Sequence, residues 1–240
     1  MKHEGSAALL LQTALQNAGV QVSQQGQEAL VLHLEAVLEA NEAFNLTAVR
    51  NLADAVELHV VDSLMAAPEV LAAPGGELAD LGSGAGYPGI PLALVVGRTT
   101  TLVESVGKKA EFLRGVADLL QGYAPLLVAH LRTESLAAER PRAFAVVTAR
   151  ALTSLPSLVE LAAPLLESGG VLVAMKGRLS EEEVQRGTSA GRLVGMELTG
   201  RRDFELPSGQ RRSIIEYRLT GESRVVLPRQ PGKAQRAPLA

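Results

Sequence analysis

The sequence predicts an α/β fold: a mostly parallel sheet with crossover helices, ending in an antiparallel hairpin and preceded by a helical cap. Three observations predict it. Apolar residues recur at three- and four-residue steps through the first third of the chain. From Glu77 onward, short apolar runs alternate with longer helical patterns, as parallel strands joined by crossover helices require. Near the end, two alternating stretches are joined by Ser208-Gly209, the signature of a hairpin.

Taken in order, "QEALVLHLEAVLEANEAFNL" puts Leu30, Leu34, Val37, Leu38 and Asn41 on one helical face. A second amphipathic piece, "LADAVELHVVDSLMAAPEVL", follows, and Pro74-Gly75-Gly76 marks a boundary. The expected strands are "ELADLG", "TTTLVES", "LLVAHL", "FAVVTA" and "GGVLVAMKG". Helix-like spacing fills "PGIPLALVV", "KKAEFLRGVADLLQ" and "LTSLPSLVELAAPLL" between them. The hairpin arms are "LVGMELTGRRDFELP" and "RRSIIEYRL". The chain thus divides into a helical extension (1–75), a sheet domain (76–220) and a basic tail (221–240).

At 240 residues the chain is long enough to bury a sizeable core. No run approaches the roughly 18 apolar residues that span a bilayer, and the N-terminus lacks the form of a secretory signal. A cytoplasmic monomer with no membrane contact is expected. The absence of Cys excludes disulfides, thiolate zinc sites, Cys-ligated clusters and Cys nucleophiles. His3, His33, His59 and His130 do not pair at metal-ligand spacing, so no metal is expected. The net charge is −3, unevenly spread. Residues 1–75 hold two Lys/Arg against nine Asp/Glu, whereas 221–240 hold four against one. That tail reads as a solvated terminus or as an arm that reaches phosphates.

The stretch from Leu78 to Val96, "LADLGSGAGYPGIPLALVV", runs from an apolar strand through Asp80, Gly82, Gly84 and Gly86 into a second apolar run. Such glycines let the backbone turn sharply and approach a ligand with no Cβ between them. Gly84 to Gly89 also satisfies G-x-G-x-x-G, and Glu104 follows about 20 residues on, where an acid holds a ribose. By itself the loop therefore fits either a nicotinamide dinucleotide or S-adenosylmethionine. Asp80 favours the latter, since such an acid orients the turn and helps hold a methionine ammonium group. Pro88 and Pro91 remove backbone donors that a pyrophosphate would use. With the terminal hairpin, these features predict a Rossmann-like class I S-adenosylmethionine-dependent methyltransferase fold. A dinucleotide oxidoreductase is the rival reading, and a P-loop is excluded because no G-K-[ST] ends the motif.

On this reading a side chain at Gly82 would lie where the cofactor must. Glu104 would take ribose hydroxyls through both carboxylate oxygens. Arg132-Thr133-Glu134 stand where an adenine ring is gripped, and a solvated turn is their alternative. Arg150 closes the fourth strand at the carboxyl edge of the sheet, as a ligand contact or as a structural ion pair. His59, Asp62 and Ser63 share a helical face, but a nucleophilic triad does not sit on adjacent turns of one helix. Internal hydrogen bonds in a helix facing the cofactor domain are expected there instead. No Asn/Asp-Pro-Pro-aromatic turn follows the fourth strand, and no Cys exists to attack a pyrimidine. The acceptor narrows toward a ring nitrogen such as guanine N7, whose in-plane lone pair needs no base if it is held in line.

"NEAFNLTAVR", "HVVDSL", "DLGSGAGYPGIPLAL", "VESVGKKAEFLRGVADLL", "RTE", "TARALTSLPSLVELAAPLL", "GGVLVAMKG" and "LPRQPGKAQRAPL" occur in that order. Together they resemble the ribosomal RNA small subunit methyltransferase G family, also called the glucose-inhibited division protein B family. The segments before Glu35 and from Leu179 to Gln210 match loosely. The resemblance implies methyl transfer from S-adenosylmethionine to N7 of one guanine in 16S rRNA, in the hairpin loop beside the decoding centre. It implies a cofactor pocket lined by Gly82, Tyr87, Glu104, Thr133, Glu134 and Arg150, with Arg150 placed to influence methyl transfer; Asp80, Gly84, Ser105 and Val106 complete the expected set. Lys108, Lys109, Arg132, Lys176, Arg229, Lys233 and Arg236 would face phosphates of the small ribosomal subunit. Asn41, Asn45 and His59 would shape the base pocket from the cap. A small-molecule methyltransferase and a non-catalytic RNA-binding module remain the competing functions.

Overall fold

The computed structural model of the chain describes residues 4–240. The cap opens with α1 (Glu4–Asn17) and α2 (Gln24–Ala43). The Ser23 hydroxyl accepts from the Gly26 N–H and so satisfies a free donor of the first turn of α2. Leu30, Leu34 and Val37 bury the expected face of α2, while Leu38 and Asn41 are half-buried at its edge. A short α3 (Leu52–Ala55) runs directly into a π-helical segment (Val56–Val61), then α4 (Asp62–Leu64) and α5 (Ala67–Ala72). The widened π turn re-aims side chains that an α-helix would space differently, and such turns recur at functional sites.

The sheet domain alternates β1 (Leu78–Leu81), α6 (Gly89–Val96), β2 (Thr100–Val103), α7 (Gly107–Leu119), β3 (Leu126–Ala129), α8 (Thr133–Glu139) and β4 (Phe144–Arg150). It continues through α9 (Leu155–Ala162), β5 (Leu166–Lys176), α10 (Glu181–Val194), β6 (Met196–Glu205) and β7 (Arg211–Leu219), and α11 (Lys233–Arg236) lies in the tail. The seven strands are ordered β3-β2-β1-β4-β5-β7-β6. β1 to β5 are parallel, and β7 inserts antiparallel between β5 and β6. The expected strand rhythm and terminal hairpin are therefore present. β4 is central and covered on both faces, which is why its run "FAVVTA" is apolar without alternation. Ala79 and Leu81 of β1 face the core under α8, α9 and α10, and Leu78 faces the core under α5 and α6. Among the described residues no helix is long and apolar enough to cross a membrane.

Two helices of the sheet domain were hidden from the sequence pattern. α8 is short, and α10 buries small residues, Gly187, Ala190 and Gly191, between Val184 and Val194. A Cβ at Gly191 would stand 2.6 Å from the Met196 carbonyl oxygen, so α10 approaches the hairpin only because that position is bare. A helix face made of such residues carries no apolar stripe. α10 also takes Leu193 and Val194, the first residues of the expected hairpin arm.

The tail differs from both roles considered for it. Val225, Leu227 and Leu239 pack on the core under α8 and α9. The Ser157 hydroxyl donates to the Ala234 carbonyl, and the Gly232 N–H donates to Glu134. Arg229 forks onto Glu160, which is 2% exposed, and donates to the Ala237 carbonyl as well. Residues 221–240 thus form a strap fastened over α8 and α9. Truncating Arg229 to Ala would leave the Glu160 carboxylate buried without its partner, at a cost of about 3 kcal/mol. Urea unfolding followed by circular dichroism should show that loss, and an unchanged midpoint would refute the strap.

Candidate active site

The site forms where the carboxyl ends of β1, β2 and β4 meet the cap. After β1, the Gly82 and Ser83 N–H groups both donate to the Val103 carbonyl at 2.9 and 3.1 Å, pinning the glycine loop to the end of β2. The Ser83 hydroxyl closes the turn onto the Asp80 carbonyl. Gly82 and Gly84 hold φ of 68° and 57°, left-handed values that L side chains adopt only with strain. Their open sides differ. A Cβ at Gly82 would meet the Leu152 side chain at 2.6 Å, whereas at Gly84 the nearest atom would be the Gly82 oxygen at 3.8 Å. A side chain at Gly82 would press on Leu152, whereas Gly84 is the position with room beside it.

Glu104 clamps the loop. Its Oε2 accepts from the Gly84 N–H at 3.1 Å and its Oε1 from the Val106 N–H at 2.7 Å. The carboxylate is buried, and each oxygen keeps a second lone pair for a hydroxyl donor. A ribose would share these oxygens with the backbone rather than take them over. Ser105 and Val106 beside it are exposed.

Asp80 lies beneath the loop and is fully buried. Its Oδ1 accepts from the Thr148 hydroxyl at 2.9 Å, and its Oδ2 has no partner. Burial raises its pKa to about 6, against the pull of Ser83, Thr148 and Arg150. Asp80 therefore backs the turn from behind.

The Tyr87 ring turns away from the sheet and into the cap. It stands between two histidines, with ring centroids 4.5 Å from His33 and 4.7 Å from His59. Its hydroxyl is buried and unpartnered, and burial raises its pKa. The His33 Nε2 bonds the Ala85 carbonyl at 2.8 Å, and His59 Nε2 bonds the Thr47 hydroxyl at 2.9 Å. Burial lowers both histidines to a pKa of about 4, with the Arg150 charge adding to the effect on His59. Both rings are therefore neutral at pH 7, and His33 reaches its carbonyl as a donor.

Arg150 binds the cap. Its Nη1 donates to the Leu58 carbonyl at 2.8 Å and to Asp62 Oδ2 at 3.2 Å, and its guanidinium stands 5.7 Å above the Tyr87 ring. Burial pulls its pKa down and Asp62 opposes that shift. Arg212, from β7, reaches the same Asp62 oxygen at 3.0 Å. Asp62, His59 and Ser63 each serve a different contact, since the Ser63 hydroxyl returns to the His59 carbonyl. Asn41 folds the following loop by bonding the Val49 carbonyl and the Thr47 N–H. Asn45 is exposed.

The other expected residues divide between free and paired groups. Thr133 is half-buried at the start of α8, while Glu134 accepts from the Gly232 N–H at 2.6 Å and fastens the tail. Lys176 is held by the Thr153 carbonyl and Glu183, and Arg229 by Glu160, so neither faces a free surface. Lys108, Arg132, Lys233 and Arg236 are exposed, and Lys109 is half-buried. The sequence pattern did not point to His33, Thr148, Leu152 and Arg212. His33 had a signal: it interrupts an apolar stripe between Leu30 and Leu34, where a polar ring must find a buried partner.

The two glycines should separate on substitution. Gly84→Ala should fold with a penalty of about 1 kcal/mol and weaken S-adenosylmethionine binding, whereas Gly82→Ala should lose more stability by displacing Leu152; calorimetric titration and urea unfolding distinguish them. Tyr87→Phe removes only an unpartnered hydroxyl and should leave stability within about 0.5 kcal/mol of the parent. The unfolded chain protonates its histidines near pH 6.5 and the folded chain only near 4, so His33 and His59 destabilise the fold as pH falls through that window. Asp80 has the opposite sign: its folded pKa of about 6 lies above the ordinary value of 3.8, so acidification stabilises through it. Asp80→Asn should therefore steepen the loss of the urea midpoint between pH 7 and pH 5, and a shallower slope would contradict the assignment.

The family model described as rRNA small subunit methyltransferase G matches residues 26–204. A ribosomal RNA small subunit methyltransferase G from Chloroflexus aggregans is 36% identical over 225 residues, covering 92% of this chain and 93% of that protein. The enzyme of the same name from Leuconostoc citreum is 34% identical over 234 residues, covering 95% and 97%. Among solved structures, TYW2 from M. jannaschii in complex with AdoMet superimposes with a TM-score of 0.51 at 14% identity, over 65% of this chain and 75% of that one. At that identity the likeness concerns the fold alone. With the family match spanning the glycine loop, the Glu104 clamp and the Arg150 contact to the cap, the chain belongs to the rRNA small subunit methyltransferase G family.

Proposed function

We propose that this protein transfers the methyl group of S-adenosylmethionine to N7 of one guanine in 16S rRNA, in the hairpin loop beside the decoding centre. The observation that carries the cofactor half of this reading is the Glu104 clamp on the Gly84 N–H, at a glycine with open space beside it. Residual lone pairs on Glu104 suit the ribose hydroxyls, the bare edge of Gly84 suits the amino-acid portion, and exposed Val106 offers an apolar surface beside them. Thr133 stands at the next loop, where the adenine would lie. Asp80 acts indirectly, by holding the turn in shape through Thr148.

When bound, S-adenosylmethionine supplies an electrophilic sulfonium methyl group that an unprotonated ring nitrogen can take directly. Guanine N7 carries its lone pair in the ring plane and loses no proton on methylation, so the protein has to position rather than to deprotonate. The titratable groups around the site suit that task. Asp80 is committed to Thr148, His33 to Ala85, His59 to Thr47 and Arg150 to Asp62. Arg150, fixed over Tyr87 at the end of β4, would orient the incoming base against the methyl group. Lys108, Lys109, Arg132, Lys233 and Arg236 would meet RNA phosphates along the side of α7, α8 and α11.

Incubation with methyl-labelled S-adenosylmethionine and small subunits lacking the modification should label 16S rRNA at a single guanine. Borohydride reduction and aniline treatment should then cut the strand at that nucleotide, as 7-methylguanine allows. Label on another atom or in a metabolite would overturn the acceptor. Arg150→Lys keeps the charge but loses the planar fork, and it should lower turnover about tenfold while S-adenosylmethionine affinity stays within about threefold. A loss confined to stability would leave Arg150 a purely structural residue.

A further inference from the structure

Beyond Arg150, the carboxyl edge of the sheet carries a groove of about 500 Å³ between the segment that follows β5 and the facing ends of β6 and β7. Four arginines line it, Arg178, Arg201, Arg211 and Arg212, together with Asp203 and Glu205. Their charges are unequally answered. Arg201 is paired with both Glu181 and Asp203. Arg212 shares a single carboxylate, Asp62, with Arg150, so one negative charge faces two guanidinium groups. Arg211 meets Glu205 only at 3.8 Å, and both side chains are largely exposed. Arg178 is exposed and forms no ion pair among the described residues. The groove therefore holds a surplus of positive charge, with its freest groups pointing to solvent.

Its position gives that surplus a use. Arg212 and Arg150 contact the same Asp62 oxygen, so the groove wall and the end of β4 are joined through one atom. Residues 1–75 carry two Lys/Arg against nine Asp/Glu, and three of those acids, Glu57, Asp62 and Glu69, are already taken up by the hairpin at the Ser208 N–H, Arg212 and Arg202. A polyanion reaching the methyl group from the hairpin side would meet the free guanidinium groups of Arg178 and Arg211. Guanidinium forks match phosphate oxygens in geometry, and the groove's volume is in the range that admits a ligand of nucleotide size.

We propose that this groove binds the phosphate backbone of the rRNA strand next to the target guanine, with Arg178 and Arg211 as the contacting groups and Arg212 as the fixed wall. The inference rests on the rRNA reading given above. The test uses full-length protein, methyl-labelled S-adenosylmethionine and small subunits lacking the modification, with the double variant Arg178→Glu/Arg211→Glu. The KM for subunits should rise about tenfold or more, while S-adenosylmethionine affinity and the urea midpoint match the parent. The slope of log binding constant against log salt should become shallower by about 0.7 for each phosphate that the variant no longer neutralises, and Arg178→Lys/Arg211→Lys should recover most of the affinity. An unchanged KM and salt slope in the Glu variant, with the parent active, would overturn the groove alone. So would a fall in S-adenosylmethionine affinity, which would assign these arginines to the cofactor. A parent protein that binds S-adenosylmethionine but leaves rRNA unlabelled would overturn the rRNA reading, and the groove's role with it.

Discussion

Asp62 is the fixed point of this molecule. Its carboxylate is 3% exposed and receives Arg150 from β4 and Arg212 from β7 on one oxygen, while the cap's own backbone, at Leu58, takes a further bond from Arg150. A carboxylate removed from water is costly unless its charge is answered, so Asp62 stays buried only while Arg150 and Arg212 hold it, and those bonds fix the cap to the sheet. Two guanidiniums on one carboxylate also leave a positive remainder at the place where two strands end. The π-helical segment brings this about: it ends at Val61, so Asp62 follows the widened turn and faces the sheet beside the stacked ring of His59.

With the cap fixed, the glycine loop is held on three sides. The Val103 carbonyl ties it to β2, Glu104 ties it to the start of α7, and His33 ties its Ala85 carbonyl to the cap. A loop of glycines has much conformational freedom to lose, and here that loss is met by folding rather than by the ligand. Tyr87 carries the arrangement further, since its ring fills the space between His33 and His59 and underlies Arg150. The glycine loop and the cap are thus one packed unit, and the buried histidines stay neutral because burial outweighs their hydrogen bonds.

Net charge alone misdescribes how such a chain meets RNA. The sum is −3, yet the carboxyl edge of the sheet presents exposed cations on two flanks: Lys108, Arg132, Lys233 and Arg236 on one, Arg178 and Arg211 on the other. One basic residue of the tail and one of β5 are instead structural. Arg229 and Lys176 neutralise Glu160 and Glu183, which burial would otherwise penalise. A basic residue near a site is available to a polyanion only when no carboxylate of its own protein has claimed it.

How much of this could be read beforehand follows from the range of the forces involved. Strand rhythm, the terminal hairpin and the apolar face of α2 were legible because local periodicity encodes burial. The glycine loop and Glu104 were legible because a tight turn and a strand end leave a local mark in sequence. α10 was not, because its buried face consists of glycine and alanine, whose packing depends on the hairpin it touches. Tyr87, Glu134 and Arg229 could be located but not aimed. Whether a ring turns toward cap or cofactor, or an arginine toward phosphate or Glu160, depends on partners 69 to 98 residues away for the two charged groups. The sequence by itself determined the fold class, the place of the glycine loop and the family, because those rest on local pattern and ordered motifs. The tertiary structure alone decided which charged groups are paired and which remain free, because a charge is settled by whatever the fold brings within a few ångströms of it.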